Sequence, residues 1–96
     1  MNTLEKALIE LAHKSNADPA LKPKKHEANY QPVHVTSDSR FPGYMVWSTS
    51  TVTKNTRMYH IIPETNGIRY KRGTETEIYK DQKSIIHRLV REIYRP

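Results

Sequence analysis

The sequence predicts an α+β domain: an antiparallel β-meander of three to five strands, flanked by an N-terminal and a C-terminal helix and packed as a two-layer sandwich. Three observations predict it. Apolar residues recur at helical spacing at both ends of the chain, the period shortens to two between them, and turn residues separate the period-two runs at short intervals. Sequential strands joined by short turns pair antiparallel. Two amphipathic helices must then bury their apolar stripes on that sheet.

The first helix is read from Leu4, Ala7, Leu8, Leu11 and Ala12, which follow the i, i+3, i+4, i+7, i+8 spacing of one face. Asn2 is placed to cap it, with Glu5 three residues on, and Asn16 to end it ahead of Asp18-Pro19. Residues 15–31 lose the period. They carry Pro19, Pro23 and the basic run Lys22, Lys24, Lys25, His26, so a polar connector loop is expected. Val33 and Val35 alternate with His34 and Thr36 as a short strand. Tyr44 to Thr53, rich in β-branched and aromatic residues, is the strongest strand pattern. Arg57 to Ile62 follows, stopped by Pro63. Asn66-Gly67 reads as a tight turn, Ile68 to Arg72 as the next strand, residues 73–76 as a turn, and Glu77 to Lys80 as a short last strand. The closing helix has Asp81 as its cap and Ile85, Ile86, Leu89, Val90 and Ile93 as its stripe.

Composition bounds what such a domain does. Ninety-six residues make one small domain with one core. Cysteine is absent, which excludes disulfides, thiolate catalysis and cysteine-ligated zinc. No apolar run approaches the roughly 20 residues that span a bilayer, so no membrane partner is expected. The opening Met1-Asn2-Thr3-Leu4 lacks the basic start and apolar middle of a signal peptide, so a cytoplasmic setting is expected. The formal charge is +6 and uneven: residues 1–53 carry six Lys/Arg against five acids, residues 54–96 ten against five. Such a field favours anionic partners, DNA or RNA on one hand and an acidic protein surface on the other.

Motifs for chemistry are missing. Five histidines (13, 26, 34, 60, 87) form no His-x-x-x-His or His-Glu-x-x-His spacing, and three scattered glycines make no phosphate loop. There is no Gly-x-Ser-x-Gly elbow, so no catalytic residue, metal or cofactor is assigned. What stands out is basic residues interleaved with aromatics. On a strand, Arg69 and Lys71 point to one face while Ile68, Tyr70 and Arg72 point to the other. If the helices cover Ile68 and Tyr70, then Arg69 and Lys71 lie on an open face, which Tyr59 and Trp47 would share in one register. Cations and rings on a bare sheet suit phosphates and stacked bases. In the last helix Arg88, Arg91 and Arg95 follow i, i+3, i+7 spacing and are expected on one solvent face, with Lys83 and His87 at its edge. The helix–strands–helix order is similar to that of double-stranded-RNA-binding domains in topology alone, and no residue is carried over from them. The expected function is a non-enzymatic nucleic-acid-binding or regulatory accessory protein, with Arg69, Lys71, Arg88, Arg91 and Arg95 on phosphates and Tyr59 and Trp47 stacking. The alternative is a protein–protein interaction module, such as a small inhibitor or adaptor from a mobile element, with the same side chains as interface anchors.

Overall fold

The computed structural model describes residues 3–19, 30–37, 40, 42–50 and 54–94. The elements run α1 (Thr3–Ala17), β1 (Tyr30–Ser37), β2 (Tyr44–Ser50), β3 (Thr56–Glu64), β4 (Gly67–Arg72), β5 (Glu75–Tyr79) and α2 (Gln82–Ile93). The five strands form one antiparallel sheet in sequence order. Both helices flank this sheet, giving the α+β fold that the periodicities predict. The core is one cluster: Leu4, Leu8, Leu11 and Ala12 from α1, Val33, Val46, Tyr59, Ile61 and Tyr70 from the sheet, and Ile85, Leu89 and Ile93 from α2. Each of these strand residues lies on the same face of the sheet. The other face carries the alternate positions.

Several boundaries differ from the sequence expectation, each for a local reason. α1 runs through Asn16 to Ala17, so residues 15–17 belong to the helix and not to the connector. Asn16 does not end the helix because its carboxamide is used elsewhere. Its Nδ2 donates to the Val33 carbonyl (3.0 Å) and its Oδ1 accepts from the Val33 N–H (2.6 Å), meeting both backbone groups of an edge-strand residue. β1 in turn starts at Tyr30 and contains Pro32, beside an irregularity in register between Tyr30 and Val33. An edge strand with a bulge tolerates proline where a central one does not. Asn2, the expected cap, lies outside the described residues, as do the basic run 22–26 and positions 51–53 of the expected second strand.

The turns also differ in detail. Glu64 pairs with Gly67, so Thr65-Asn66 forms the two-residue loop and Gly67 opens β4 at φ +147°. Glycine is required there by a close approach, because a Cβ would stand 2.4 Å from the Tyr79 carbonyl oxygen. Pro63 is inside β3 and paired with Ile68. Gly73-Thr74 is a two-residue turn, with Gly73 at φ +59° and Arg72 paired with Glu75, so β5 begins two residues earlier than expected. α2 begins as predicted: the Asp81 side chain accepts from the Ser84 N–H at 2.8 Å. That bond holds the Asp81 carboxyl below the usual aspartate range. Tyr94 donates to Asp18, tying the end of α2 to the end of α1.

Candidate functional site

The electrostatics of the molecule are organised by an ion-pair network between β4, β5 and α2. Strand alternation turns Glu75 and Glu77 toward the helix layer, on the same face as Tyr70 and Arg72. α2 brings Arg88 and Glu92 to them, one helical turn apart. Arg88 Nη2 lies 2.5 Å from Glu75, Nη1 2.8 Å from Glu77 and 3.0 Å from the Tyr79 hydroxyl, and Nε 3.0 Å from Glu92 Oε1. Arg72 Nη1 takes the other Glu92 oxygen at 3.2 Å, and Arg57 donates to the Glu92 carbonyl at 3.5 Å. The guanidiniums also lie over aromatic rings, Arg88 at 4.5 Å from the Tyr70 centroid and Arg72 at 5.2 Å from that of Tyr59. The Arg88 side chain is only 13% exposed and that of Glu92 9%. Burial by itself would loosen the Arg88 proton; hydrogen bonds to Glu75 and Tyr79 outweigh it and hold its pKa above the ordinary arginine value. Burial raises the phenol pKa of both Tyr59 and Tyr70. Their hydroxyls lack a well-aligned hydrogen bond, with Arg57 near the first and Arg88 near the second.

This network decides what faces outward. Of the five acids in residues 54–96, Glu75, Glu77 and Glu92 pair with Arg72 and Arg88, and Glu64 pairs with Arg69. Four carboxylates are thus drawn onto three arginines. Lys71, Lys80, Lys83 and Arg91 are exposed cations outside these pairs. On α2, Lys83, His87 and Arg91 follow i, i+4, i+8 spacing and all are exposed, forming a row with steps of about 6 Å along the helix. Asp81 lies near the start of this row, close to Lys80 and Lys83.

The second surface is the sheet face turned away from the helices. Register places Thr36, Met45, His60, Lys71 and Thr76 in one line across the five strands. His34, Trp47 and Met58 lie on one side of that line, and Ile62, Arg69 and Ile78 on the other. Trp47 stacks on His34, with ring centroids 4.4 Å apart, and its Nε1 donates to Thr36 at 3.3 Å. Arg69 Nε sits 2.6 and 3.0 Å from the two Glu64 oxygens, and its Nη1 donates to Thr76. A shallow depression of about 200 Å³ is lined by Met45, Met58, His60, Lys71 and Gly73.

The structure separates the residues that the sequence grouped. Arg69, Lys71 and Trp47 share the open face, as the alternation predicts. Tyr59 does not join them: it is 1% exposed in the core, because Val46 and Tyr59 pair on the helix side while Trp47 pairs with Met58 on the other. Arg91 is exposed on α2 and borders one depression with Glu75, Arg88 and Glu92, while the Arg88 side chain itself is drawn onto three carboxylates. Arg95 lies outside the described residues. Lys83 and His87, read as edge residues, form the exposed row with Arg91. The signal that would have found Arg88's place is the pair of glutamates at alternate positions of β5 together with Glu92 four residues on. Among the described residues, no three His, Asp or Glu side chains come together as a metal-holding group, and no helix is long and apolar enough to cross a membrane. No protein-family model matches the chain, and comparisons with curated proteins and with solved structures give no significant match.

Proposed function

We propose that this is a non-enzymatic accessory protein that binds nucleic acid through its phosphate backbone, with Lys83, His87 and Arg91 of α2 as the contact row. Lys80 adds to it at the N-terminal end. Lys71 and Arg69 belong to the opposite layer and Arg88 to the internal network, so they play no part in this contact. The observation that carries the reading is the withdrawal of three carboxylates, Glu75, Glu77 and Glu92, onto Arg72 and Arg88. It leaves Lys83, His87 and Arg91 exposed along about two turns of the outer face of α2, in a chain of net charge +6. Two cations with an imidazole between them on a rigid helix meet a row of phosphates without base contacts, so binding is backbone-directed and indifferent to sequence.

The test is a titration of duplex and single-stranded DNA and RNA at about 0.15 M salt, where exposed charges more than about 8 Å apart are screened. Lys83→Glu with Arg91→Glu is expected to weaken binding to every sequence and to flatten the salt dependence by about one unit per lost phosphate contact. If no nucleic acid binds more tightly than roughly 10⁻⁴ M, the weak end of non-specific association, the reading fails. A complex with an acidic protein that survives nuclease, and that the same double variant abolishes, would replace it.

A further inference from the structure

Among the described residues, the sheet face turned away from the helices carries few charges for so basic a chain. Its described charges are Arg69 and Glu64, which pair with each other, and Lys71. Around them lie Met45, Trp47, Met58, Ile62 and Ile78, of which Met58 is 49% and Ile78 42% exposed. Small neutral threonines fill positions between them, at 36, 49, 56 and 76. An anionic ligand is drawn to the other layer, where the cation row is, so this face suits a partner that is itself nearly neutral, apolar and flat. The chain supplies one such surface: its own. We propose that two copies pair face to face through this sheet, as an isologous dimer of four layers, helix–sheet–sheet–helix.

Area and edges both bear on this choice. Five strands about 4.8 Å apart and about six residues long give a face of about 24 by 20 Å, roughly 500 Å² in projection. Two such faces bury on the order of 1,000 Å², the lower limit for a specific interface. The dimer is therefore weak and concentration-dependent rather than obligate. Pairing through strand edges, the other route by which sheets self-associate, is obstructed at both ends. β1 carries Pro32 and has its Val33 backbone groups taken by Asn16, and β5 presents Glu75 and Glu77. Twisted sheets of the same hand pack with strands about 30° apart, which brings Met45, Trp47 and Met58 of each copy onto the other, with His60 and Lys71 beside them. The dimer sends its two α2 rows to opposite outer surfaces, so it neither competes with nor requires the contact proposed above.

Sedimentation velocity and light scattering over roughly 10 µM to 1 mM protein, the range in which weak association appears, read the mass directly. The mass is expected to rise from 11.2 kDa toward twice that value. Met58→Lys with Ile78→Lys places like charges across the interface and is expected to weaken the dimer by at least about tenfold. Arg91→Glu, on the far layer, should leave it unchanged. Trp47, the single tryptophan, gives a second readout that needs no variant: its emission should shift to the blue, and its access to acrylamide fall, along the same concentration curve. A monomeric mass at every concentration overturns the proposal. So does a dimer that the Met58/Ile78 variant leaves intact, or one that forms with no change at Trp47.

Discussion

At the scale of single residues, sequence spacing assigned Arg88 and Arg91 to one surface, and the structure gives them opposite tasks. Arg88 stands three residues after buried Ile85 and four before Glu92, at the margin of the apolar stripe, where a long side chain reaches β5. Four of its contacts are to charged or hydroxyl oxygens, at 2.5–3.0 Å. Arg91 lies on the outer side of the helix and makes none of these. Substituting alanine at the two positions separates the roles. Arg88→Ala is expected to lower stability by about 2 kcal/mol, the order of a lost set of hydrogen bonds to charged groups. A larger loss, of the 3–5 kcal/mol that follows breaking a fully buried pair, is not expected. Glu75 and Glu77 are half-exposed and rehydrate, and Glu92 keeps Arg72. Arg91→Ala should fall within about 0.5 kcal/mol of the parent, as for other surface changes. Urea denaturation of both variants measures this, and equal costs would show that the network does not hold Arg88 as described. The sequence did contain the ingredients, since Glu75, Glu77 and Glu92 are plain to read. What it lacked was the sheet register that brings β5 beneath α2, a tertiary relation that no spacing encodes.

At the scale of elements, the two helices were legible because their apolar periods are long and uninterrupted. The strands were legible because alternation persists in Val33–Thr36 and Tyr44–Ser50. Boundaries were less so, and the misses share a cause. Asn16 and Pro63 are residues whose local preferences argue for an end, and each is held inside an element by a partner on another element: Val33, far along the chain, for Asn16, and Ile68, across the Thr65-Asn66 turn, for Pro63. Tyr59 was misplaced for a related reason. Alternation fixes which residues of β3 share a face but not which face the helices cover, and the bare pattern Met58-Tyr59-His60-Ile61 allows both. Packing decides it, because Tyr59 and Ile61 bury large apolar area that Met58 and His60 would not. The stripe of α2 gives the sharpest test of that packing. Leu89 is fully buried at the centre of Ile85–Ile93, so Leu89→Ala is expected to cost about 2–5 kcal/mol, the range for a truncated core leucine. Chemical denaturation reads it, and a cost below about 0.5 kcal/mol would mean that α2 does not close the core.

At the scale of the whole molecule, the question is whether the two helices stabilise one structure or two. α1 packs chiefly on β1, at one edge of the sheet, and α2 toward β4 and β5, at the other. That separation alone would allow each edge to unfold with its own helix. Three features argue against it. The core is one cluster that runs without a break from Leu4 to Ile93 through Val46, Tyr59, Ile61 and Tyr70. The helices touch each other, and Tyr94 and Asp18 join their C-terminal ends. The central strands β2 and β3 pair with each other and with both edge regions, so losing either edge exposes Val46 or Tyr59 to water. A domain of this size in which each part covers another's apolar surface unfolds in one step. Far-ultraviolet dichroism, which follows both helices, and Trp47 emission, which follows β2 on the open face, are therefore expected to give the same urea midpoint and slope. The comparison belongs at protein concentrations low enough to keep the chain monomeric, so that the sheet face does not add a concentration-dependent term. Non-coincident curves, with helix signal lost before Trp47 responds, would show that α2 and its arginine network detach as a unit of their own, and that the basic row rides on a helix the core does not hold.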